Sequence, residues 1–263
     1  MQLPGPGVFG PPRDRATAIA VLRRAVEAGV NHIDTAQFYG PDVANDLVRE
    51  ALFPYPSDLV LVSKVGASRD SSGGWGPAQR PEQLREGVLA NLASLTLDSI
   101  PVVNLRRHPD SEVPFAEQLD AMIQLREEGL IDGIGLSTVT PEEYRHARSR
   151  TEIACVQNAY NLVDRSDQVV FDACRDDDVA YVPYFPLGSA FNAENPVLGH
   201  PAVTATAQRI SATPAQVALS WLLHLSPNVL LIPGTSSLEH LEENLAVGDI
   251  VLDQEALEAL AAP

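Results

Sequence analysis

An acid, a phenol and an amine stand near the ends of two apolar runs: Asp34 and Tyr39 in HIDTAQFYG at residues 32–40, and Lys64 at the end of LVLVSK. A lysine beside a phenol lowers the phenol's pKa by favouring the phenolate, and an aspartate holds that lysine charged. Because the ordinary pKa of tyrosine is near ~10, the trio predicts a general acid that protonates the oxygen of a carbonyl under reduction. The alternative is a structural ion pair beside a packed loop tyrosine.

Polar side chains also end the later apolar runs. They are Arg106, Ser137, Gln157 and Tyr184. In a barrel of parallel strands the active site forms at the carboxyl ends of the strands. We therefore expect these side chains to converge with the first three.

Strand-like runs alternate with helix-like stretches from residue 15 onward. The predicted strands cover residues 30–34, 59–64, 100–105, 131–137, 153–157, 179–184 and 228–233. The predicted helices cover 15–28, 42–52, 81–95, 114–128, 141–149, 166–177, 201–224, 237–246 and a short segment after Asp253. This alternation predicts an α/β fold, a (β/α)8 TIM barrel. An open doubly wound sheet is the alternative, but no GxGxxG follows a first strand.

Local signals support the helices but leave the barrel one strand short. Capping-box sequences begin at Thr140, Thr213 and Ser236, and such boxes satisfy the free N–H groups of a helix start. The eighth strand has to come from the first ten residues, with MQL as its stub and GPGVFGPP as the first rim loop.

Composition limits the class of protein. With 263 residues and 45% hydrophobic residues, the chain is predicted to form a single domain over 1–263. Its net charge of −17 argues against nucleic acid as a partner. No apolar run approaches the ~20 residues of a membrane span, and no signal peptide is evident, so we expect a cytoplasmic protein. The two cysteines lack metal-site spacing, and no metal is predicted.

Five motifs, in order along the chain, resemble those of the aldo-keto reductases: GVNHIDTAQFYG, SKVG, GIGLSTVTPEE, VQNAYNLVDR and IPGTSSLEHLEEN. The resemblance runs from about residue 8 to the C-terminus. It implies a (β/α)8 barrel that binds a nicotinamide cofactor, usually NADPH, and reduces aldehydes or ketones to alcohols.

The resemblance also assigns roles to residues. Asp34, Tyr39 and Lys64 match three members of the catalytic tetrad, with Tyr39 as the proton donor. The implied cofactor-binding residues are Ser137, Thr138 (where the family usually has asparagine) and Gln157 at the nicotinamide carboxamide, Tyr184 stacked on its ring, Leu187, Gly188 and Ser189 along the pyrophosphate, Gly234, Thr235, Ser236 and His240 toward the 2′-phosphate, and Glu243 and Asn244 at the adenine.

The fourth tetrad member, a histidine in the family, is not found at its expected position. Alignment of SIPVVNLRRHPD by its strand pattern places Arg106 there, and His108 stands two residues later, on the same side of an extended chain. We favour Arg106, because the apolar pattern ends at Leu105 and Pro109 marks a turn. A guanidinium can polarise a carbonyl oxygen or hold an anionic substrate group.

The residues expected at the adenosine end of the cofactor also differ from the family pattern. Family members specific for NADPH commonly have a lysine and an arginine where this chain has Gly234 and His240. The hydroxyl groups of Thr235 and Ser236, with the amides of the following helix N-terminus, can still receive a phosphate. NADPH is therefore expected, with NADH also possible.

Family members usually begin further upstream, so the N-terminal hairpin and most of the first strand are expected to be missing. Substrate specificity is expected in the rim loops 4–12, 68–80 and 188–200, with Trp75 as an apolar wall or a surface anchor. The expected partner is a small carbonyl substrate, without nucleic acid or membrane, and the chain is expected to be a monomer or a weak homo-oligomer. Two other functions stay open: a non-catalytic nicotinamide-binding sensor or partner subunit, and a lyase that uses Lys64 as a Schiff-base lysine.

Overall fold

The protein is described by a computed structural model over residues 2–188 and 195–261. The chain forms two compact units. The first unit contains residues 1–156 and 234–238, and the second contains residues 157–233 and 239–263.

The strands of the described residues follow the predicted order. They are β1 (His32–Asp34), β2 (Val60–Arg69), β3 (Trp75–Ala78), β4 (Ile100–Arg106), β5 (Ile131–Ser137), β6 (Cys155–Gln157) and β7 (Ala180–Tyr181). In the first unit β1, β2, β4 and β5 are parallel neighbours in that order, and β3 pairs antiparallel with β2. The parallel order brings the carboxyl ends of these four strands to one edge of the sheet.

The helices lie close to the predicted segments. They are α1 (Arg15–Glu27), α2 (Val43–Leu52), α3 (Pro81–Leu95), α4 (Phe115–Glu127), α5 (Pro141–Arg150), α6 (Gln168–Asp176), α7 (Pro201–Ile210), α8 (Pro214–Leu225), α9 (Leu238–Leu245) and α10 (Gln254–Ala261). None of the helices within residues 2–188 and 195–261 is both long and apolar enough to cross a lipid bilayer.

Two of the three predicted capping boxes are present. The hydroxyl groups of Thr140 and Thr213 each accept a hydrogen bond from the N–H three residues later, and the reciprocal side-chain bonds also form. The third helix, α9, begins at Leu238, and there the Ser237 N–H donates to Thr235 Oγ1 at 3.0 Å. Local sequence thus determines where α5 and α8 begin.

Four predicted elements differ from the structure. The segment 228–233 is not a strand, because only Val229 forms a bridge there, to Tyr181. The predicted helix 201–224 is two helices, separated at Ser211, whose φ of 55° is left-handed. Gln2 and Leu3 form no strand, and a 3₁₀ turn at Pro6–Val8 follows them. Finally, β2 continues to Arg69 and forms a hairpin with β3 inside the predicted rim loop 68–80.

Buried amides connect the first two strands to the helices that cover them. Thr35 Oγ1 donates to Asn45 Oδ1 of α2 at 2.8 Å, and Asn45 Nδ2 donates to Asn91 Oδ1 of α3 at 2.9 Å. Ser63 of β2 also donates to Asn91 Oδ1, at 2.5 Å. All four side chains are buried, so the network fixes the positions of the residues next to Asp34 and Lys64.

The second unit has an aromatic core of its own. Tyr160 stacks on Phe171 and on Trp221, with ring centroids 5.3 and 6.4 Å apart, and Tyr181 packs edge-on against Tyr160 and Phe171. The Tyr181 hydroxyl donates to Asp167 Oδ2 at 2.7 Å. Such ring pairs contribute packing energy beyond the area that they bury.

Candidate active site

Asp34, the last residue of β1, and Lys64, in the middle of β2, form an ion pair. Their side chains are only 9% and 3% exposed. Lys64 Nζ also donates to the carbonyl of Thr35 at 3.1 Å. A buried charge is tolerated only when it is paired and hydrogen-bonded, and Lys64 meets both conditions.

Tyr39 completes the cluster from the loop after β1. Its ring centroid lies 5.1 Å from Lys64 Nζ, the charge of Lys64 favours its phenolate, and its ring packs edge-on against Phe38. The loop turns at Gly40, whose φ of 107° favours glycine, and the Tyr39 N–H donates to the Ala36 carbonyl. The structure therefore brings together the three residues that the sequence analysis grouped.

The pKa of Tyr39 differs from the expectation. Burial raises it, and the charge of Lys64 lowers it, as does Arg106 more weakly; the net pKa is above the ordinary value. The prediction that Lys64 brings the phenol below its usual pKa is thus wrong in its net direction, because the side chain is 5% exposed and desolvation outweighs the nearby cation. Burial alone would lower the pKa of Lys64, but Asp34 and Tyr39 more than offset this and raise it.

Arg106 ends β4, next to Ser137 of β5 in the register of the sheet. Its guanidinium lies 5.8 Å from the centroid of the Phe38 ring and its charge acts on Tyr39. The backbone there is held by Gly66 of β2, where a Cβ would come within 2.3 Å of the Arg106 carbonyl oxygen. Since any larger residue would push the two strands apart, the glycine in SKVG is needed for the placement of Arg106.

His108 occupies the turn after β4. Its Nδ1 accepts a hydrogen bond from the Asp110 N–H at 3.3 Å and lies 3.7 Å from the Asp110 carboxylate. These contacts direct it to its own turn, whereas Arg106 contacts Phe38 beside the proposed proton donor. Of the two candidates, Arg106 is the one placed next to Phe38.

Ser137 and Thr138 follow β5. The Ser137 side chain is buried, and its carbonyl accepts from the Arg107 N–H at 2.9 Å. Thr138 is exposed and has a φ of 60°. A β-branched residue is disfavoured in this left-handed region, whereas asparagine, the usual family residue, tolerates it.

Replacement of Thr138 by asparagine is expected to raise the free energy of unfolding by about 1 kcal/mol, because the left-handed backbone is then less strained. Urea denaturation at neutral pH measures this. The matched control is Thr140→Asn, at a residue with an ordinary φ of −81°, where asparagine is an equally good N-cap and the change should stay within about 0.5 kcal/mol. Equal effects at both positions would contradict the strain argument.

Gln157 and Tyr184 lie in the second unit. The Gln157 side chain is buried at the end of β6. Tyr184 is partly exposed, its N–H donates to the Asn158 carbonyl at 2.9 Å, and its ring packs edge-on against Phe185 at 5.1 Å.

The segment that begins at Leu187 is partly described. The Leu187 carbonyl accepts a hydrogen bond from Asn195 Nδ2 at 2.7 Å, and Gly188 has a φ of 82°. Ser189, the third residue predicted at the pyrophosphate, lies outside the described residues.

The residues predicted at the adenine end are on α9. The Glu243 carbonyl accepts from Gln216 Nε2 at 3.1 Å, and Asn244 Nδ2 donates to the Pro233 carbonyl at 3.2 Å. His240 is exposed. These contacts fix the end of α9 against the segment before it.

In the first unit, Gly234, Thr235 and Ser236 precede α9. A Cβ on Gly234 would lie 3.2 Å from Gln2 Cγ, so the glycine allows the N-terminal segment to approach. Thr235 Oγ1 accepts from the Ser237 N–H, and Ser236 is exposed. Hydroxyl groups and a helix N-terminus are therefore available here for an anion.

Comparison with known proteins decides the family. The model of the aldo/keto reductase family matches residues 5–262. The chain belongs to the aldo/keto reductase family. It is 49% identical over 265 residues to pyridoxine 4-dehydrogenase from Escherichia coli (strain K12), a match that covers 99% of this chain and 91% of that protein. It is also 36% identical over 260 residues to an uncharacterized oxidoreductase of Schizosaccharomyces pombe, over 99% of this chain and 83% of the relative.

Solved structures of other aldo-keto reductases have a fold similar to that of this aldo/keto reductase. The aldo/keto reductase from Klebsiella pneumoniae in complex with NADP and acetate has a TM-score of 0.80 and 28% identity, over 94% of this chain and 84% of that one. A thermostable aldo-keto reductase in complex with the inhibitor epalrestat has a TM-score of 0.81 and 29% identity, over 96% and 89%. The predicted α/β class, with the parallel strands of a (β/α)8 barrel, is confirmed.

Neither Arg69 nor the β2–β3 hairpin is among the features that the sequence of this aldo/keto reductase predicts. Arg69 ends β2, and its guanidinium lies 4.0 Å from the centroid of the Trp75 ring across the hairpin. The turn in ASRDSSGGW was a possible signal, since Asp-Ser-Ser-Gly-Gly suits a tight reversal. The same composition is also typical of an irregular loop, which is how it was interpreted.

Proposed function

We propose that this aldo/keto reductase reduces an aldehyde or ketone to an alcohol with NADPH, and that Tyr39 donates the proton. The observation that carries the proposal is the buried cluster of Asp34, Lys64 and Tyr39, in which an ammonium lies 5.1 Å from the centroid of a phenol ring. A buried cation beside a phenol stabilises the phenolate that remains after proton transfer.

The roles of the three residues follow from their environment. Because the pKa of Tyr39 is raised, its phenol carries a proton throughout the neutral range and is ready to donate it to an alkoxide. Because the pKa of Lys64 is also raised, the cation beside that phenol remains an ammonium. Asp34 neutralises Lys64 and holds it in position. Arg106, which contacts Phe38, supplies a permanent charge to orient the carbonyl oxygen.

The residues present fit a nicotinamide dinucleotide, which supplies a hydride when it is bound. In the first unit Ser137 is a buried hydroxyl at the end of β5, and in the second unit Gln157 is a buried amide at the end of β6. Either group can hydrogen-bond a carboxamide, and the family resemblance assigns the same part of the cofactor to Thr138 and Tyr184. Thr235 and Ser236 at the start of α9 suit the 2′-phosphate. The solved relative from Klebsiella pneumoniae binds NADP, which supports the choice of NADPH.

The substrate is proposed to be an aromatic aldehyde. The relative with 49% identity is named pyridoxine 4-dehydrogenase, and its alcohol substrate carries an aromatic ring. Trp75, which is exposed, packs edge-on against Phe38 at 5.7 Å and lies near Arg106, so it offers an aromatic surface of a suitable kind. Pyridoxal is therefore the first carbonyl compound to test.

Cofactor titration followed by a carbonyl screen tests the proposal. We expect fluorescence titration to show micromolar binding of NADPH, with NADH bound no more than about tenfold more weakly, because residues 234–244 contain no lysine or arginine to bind the 2′-phosphate. Aldehyde-dependent oxidation of NADPH should follow with pyridoxal and benzaldehydes. Binding without turnover across a broad panel would contradict the enzymatic proposal, and absence of binding would contradict the cofactor.

A further inference from the structure

Two arginines of the first unit share one tryptophan ring. The guanidinium carbons of Arg69 and Arg106 lie 4.0 and 4.9 Å from the centroid of Trp75. Arg69 also lies 5.4 Å from the centroid of Phe9. Two like charges are therefore gathered at the ends of β2 and β4, where only aromatic rings separate them.

Arg69 has hydrogen-bond donors without acceptors. Its Nη2 donates to the Gly7 carbonyl at 3.0 Å, but Nε and Nη1 are buried and have no partner among the described residues. A buried charged donor without a partner is costly. Such a group in a native structure calls for an explanation, and a bound acceptor is one.

The positive charge of this cluster is not neutralised by ion pairs. Within residues 2–188 and 195–261 neither Arg69 nor Arg106 has a carboxylate within ion-pair distance, although the chain carries a net charge of −17. The adjacent carboxylate, Asp70, instead accepts from the N–H groups of Ser72 and Gly74, both at 2.8 Å. Burial lowers the pKa of Arg69, and Arg106 lowers it further against the opposing effect of Asp70, as expected of two neighbouring cations.

The cluster adjoins the proposed proton donor. Phe38 packs edge-on against both Trp75 and Tyr39, with centroids 5.7 and 5.3 Å apart. Arg106 contacts Phe38, and its positive charge favours the phenolate of Tyr39. A substrate whose carbonyl reaches Tyr39 can therefore place a substituent toward Trp75. That side chain is 39% exposed, and we expect its movement to uncover the free donors of Arg69.

We propose that Arg69 and Trp75, next to Arg106, form a recognition site for an anionic substituent, a carboxylate or a phosphate, on an aromatic carbonyl substrate. A guanidinium binds either group through two parallel N–H donors, and the indole covers the apolar body of the substrate. The inference rests on the proposed function, because it specifies the substrate class of the same site.

Matched substrates test the site in the complete enzyme. We expect kcat/KM for 4-carboxybenzaldehyde to exceed that for its neutral ester, methyl 4-formylbenzoate, by about 10-fold or more, the range of charge-assisted hydrogen bonds. The preference should decrease with added salt. A second pair, 4-formylphenyl phosphate against 4-methoxybenzaldehyde, distinguishes phosphate from carboxylate. Equal values within both pairs would overturn the proposal.

Variants locate the preference. Arg69→Gln should lower kcat/KM for the carboxylate about 10-fold and change that of the ester less than about twofold. Arg69→Lys, which keeps the charge but loses the paired donors, should lie between the two. The control Arg80→Gln removes one charge of an exposed ion pair with Glu82, in which the side chains are 61% and 62% exposed. It should leave kcat/KM unchanged for both substrates. A loss of the same size in Arg80→Gln would show a general charge effect and overturn the site.

A binding measurement separates this proposal from the enzymatic one. Titration of the holoenzyme with 4-(hydroxymethyl)benzoate and with its methyl ester, followed by tryptophan fluorescence, needs no turnover. We expect the anion to bind about tenfold more tightly, and Arg69→Gln to remove the difference. If no carbonyl compound is reduced but this difference is present, the reductase proposal fails and the anion site stands. If reduction proceeds and both alcohols bind equally, the anion-site proposal is contradicted and the reductase proposal stands.

Discussion

Tyr39→Phe is expected to lower turnover by about 10²–10⁴-fold, the usual contribution of a general acid, and to leave NADPH binding within about twofold. The phenylalanine ring can keep the edge-on contact with Phe38, so the change removes the hydroxyl and its electrostatic interaction with Lys64 and little else. Stopped-flow or steady-state NADPH oxidation measures the rate, and fluorescence titration measures the binding.

Two comparisons make this prediction specific. Tyr55→Phe removes another phenol, whose hydroxyl donates to the Leu95 carbonyl at 2.7 Å, and should leave turnover unchanged. In the unmodified enzyme the rate of reduction should be flat from about pH 6 to 9 and should fall only as the pH rises through the raised pKa of Tyr39, since the protonated phenol is the active form below that value. A Tyr39→Phe enzyme with full turnover would exclude Tyr39 as the proton donor.

Much of the fold follows from local signals. Helices α5 and α8 begin at the predicted capping boxes because threonine, proline and an acceptor three residues later satisfy the free N–H groups without tertiary help. The grouping of Asp34, Tyr39 and Lys64 also follows, since parallel strands bring their carboxyl ends to one edge. Periodicity and turn chemistry therefore suffice for the main elements and for the centre of the candidate site.

Other features depend on contacts that a linear pattern does not contain. The apolar segment 228–233 resembles a strand, yet Leu230 is 41% exposed and only Val229 forms a bridge. Ladder formation requires a partner along the whole run, which apolar residues alone do not supply. Likewise, the sequence shows that Lys64 can lie near Tyr39 but not how deeply both are buried, and this burial reverses the net pKa shift of the phenol.

The hairpin of β2 and β3 shows a further limit. Its turn is formed by Asp70, which accepts hydrogen bonds from the N–H groups of Ser72 and Gly74. These residue types also occur in irregular loops. Only the pairing of Arg69 with Trp75 across the strands reveals the two stacked side chains. The proposed recognition site thus lies in a segment whose composition predicts a loop.

Lys64→Met is expected to lower the free energy of unfolding by about 3–5 kcal/mol, because it leaves the buried carboxylate of Asp34 without its counter-ion. Since the folded protein raises the pKa of Lys64, the stabilisation from the charged Lys64 is fully present at neutral pH, below the ordinary lysine value of about 10.4, and on the alkaline side is lost as the pH rises through the raised value. Urea denaturation at pH 7 therefore measures the full contribution.

An exposed pair is the matched control. Arg15 and Glu50 also form an ion pair, but their side chains are 50% and 44% exposed, so Arg15→Met should lower stability by less than about 1 kcal/mol. The double variant Asp34→Asn with Lys64→Met should recover at least half of the loss, because no unpaired charge is then buried. If Lys64→Met destabilises the protein no more than Arg15→Met, the pair at the strand ends is solvated in solution. The electrostatic support proposed for Tyr39 would then have to come from Arg106 instead.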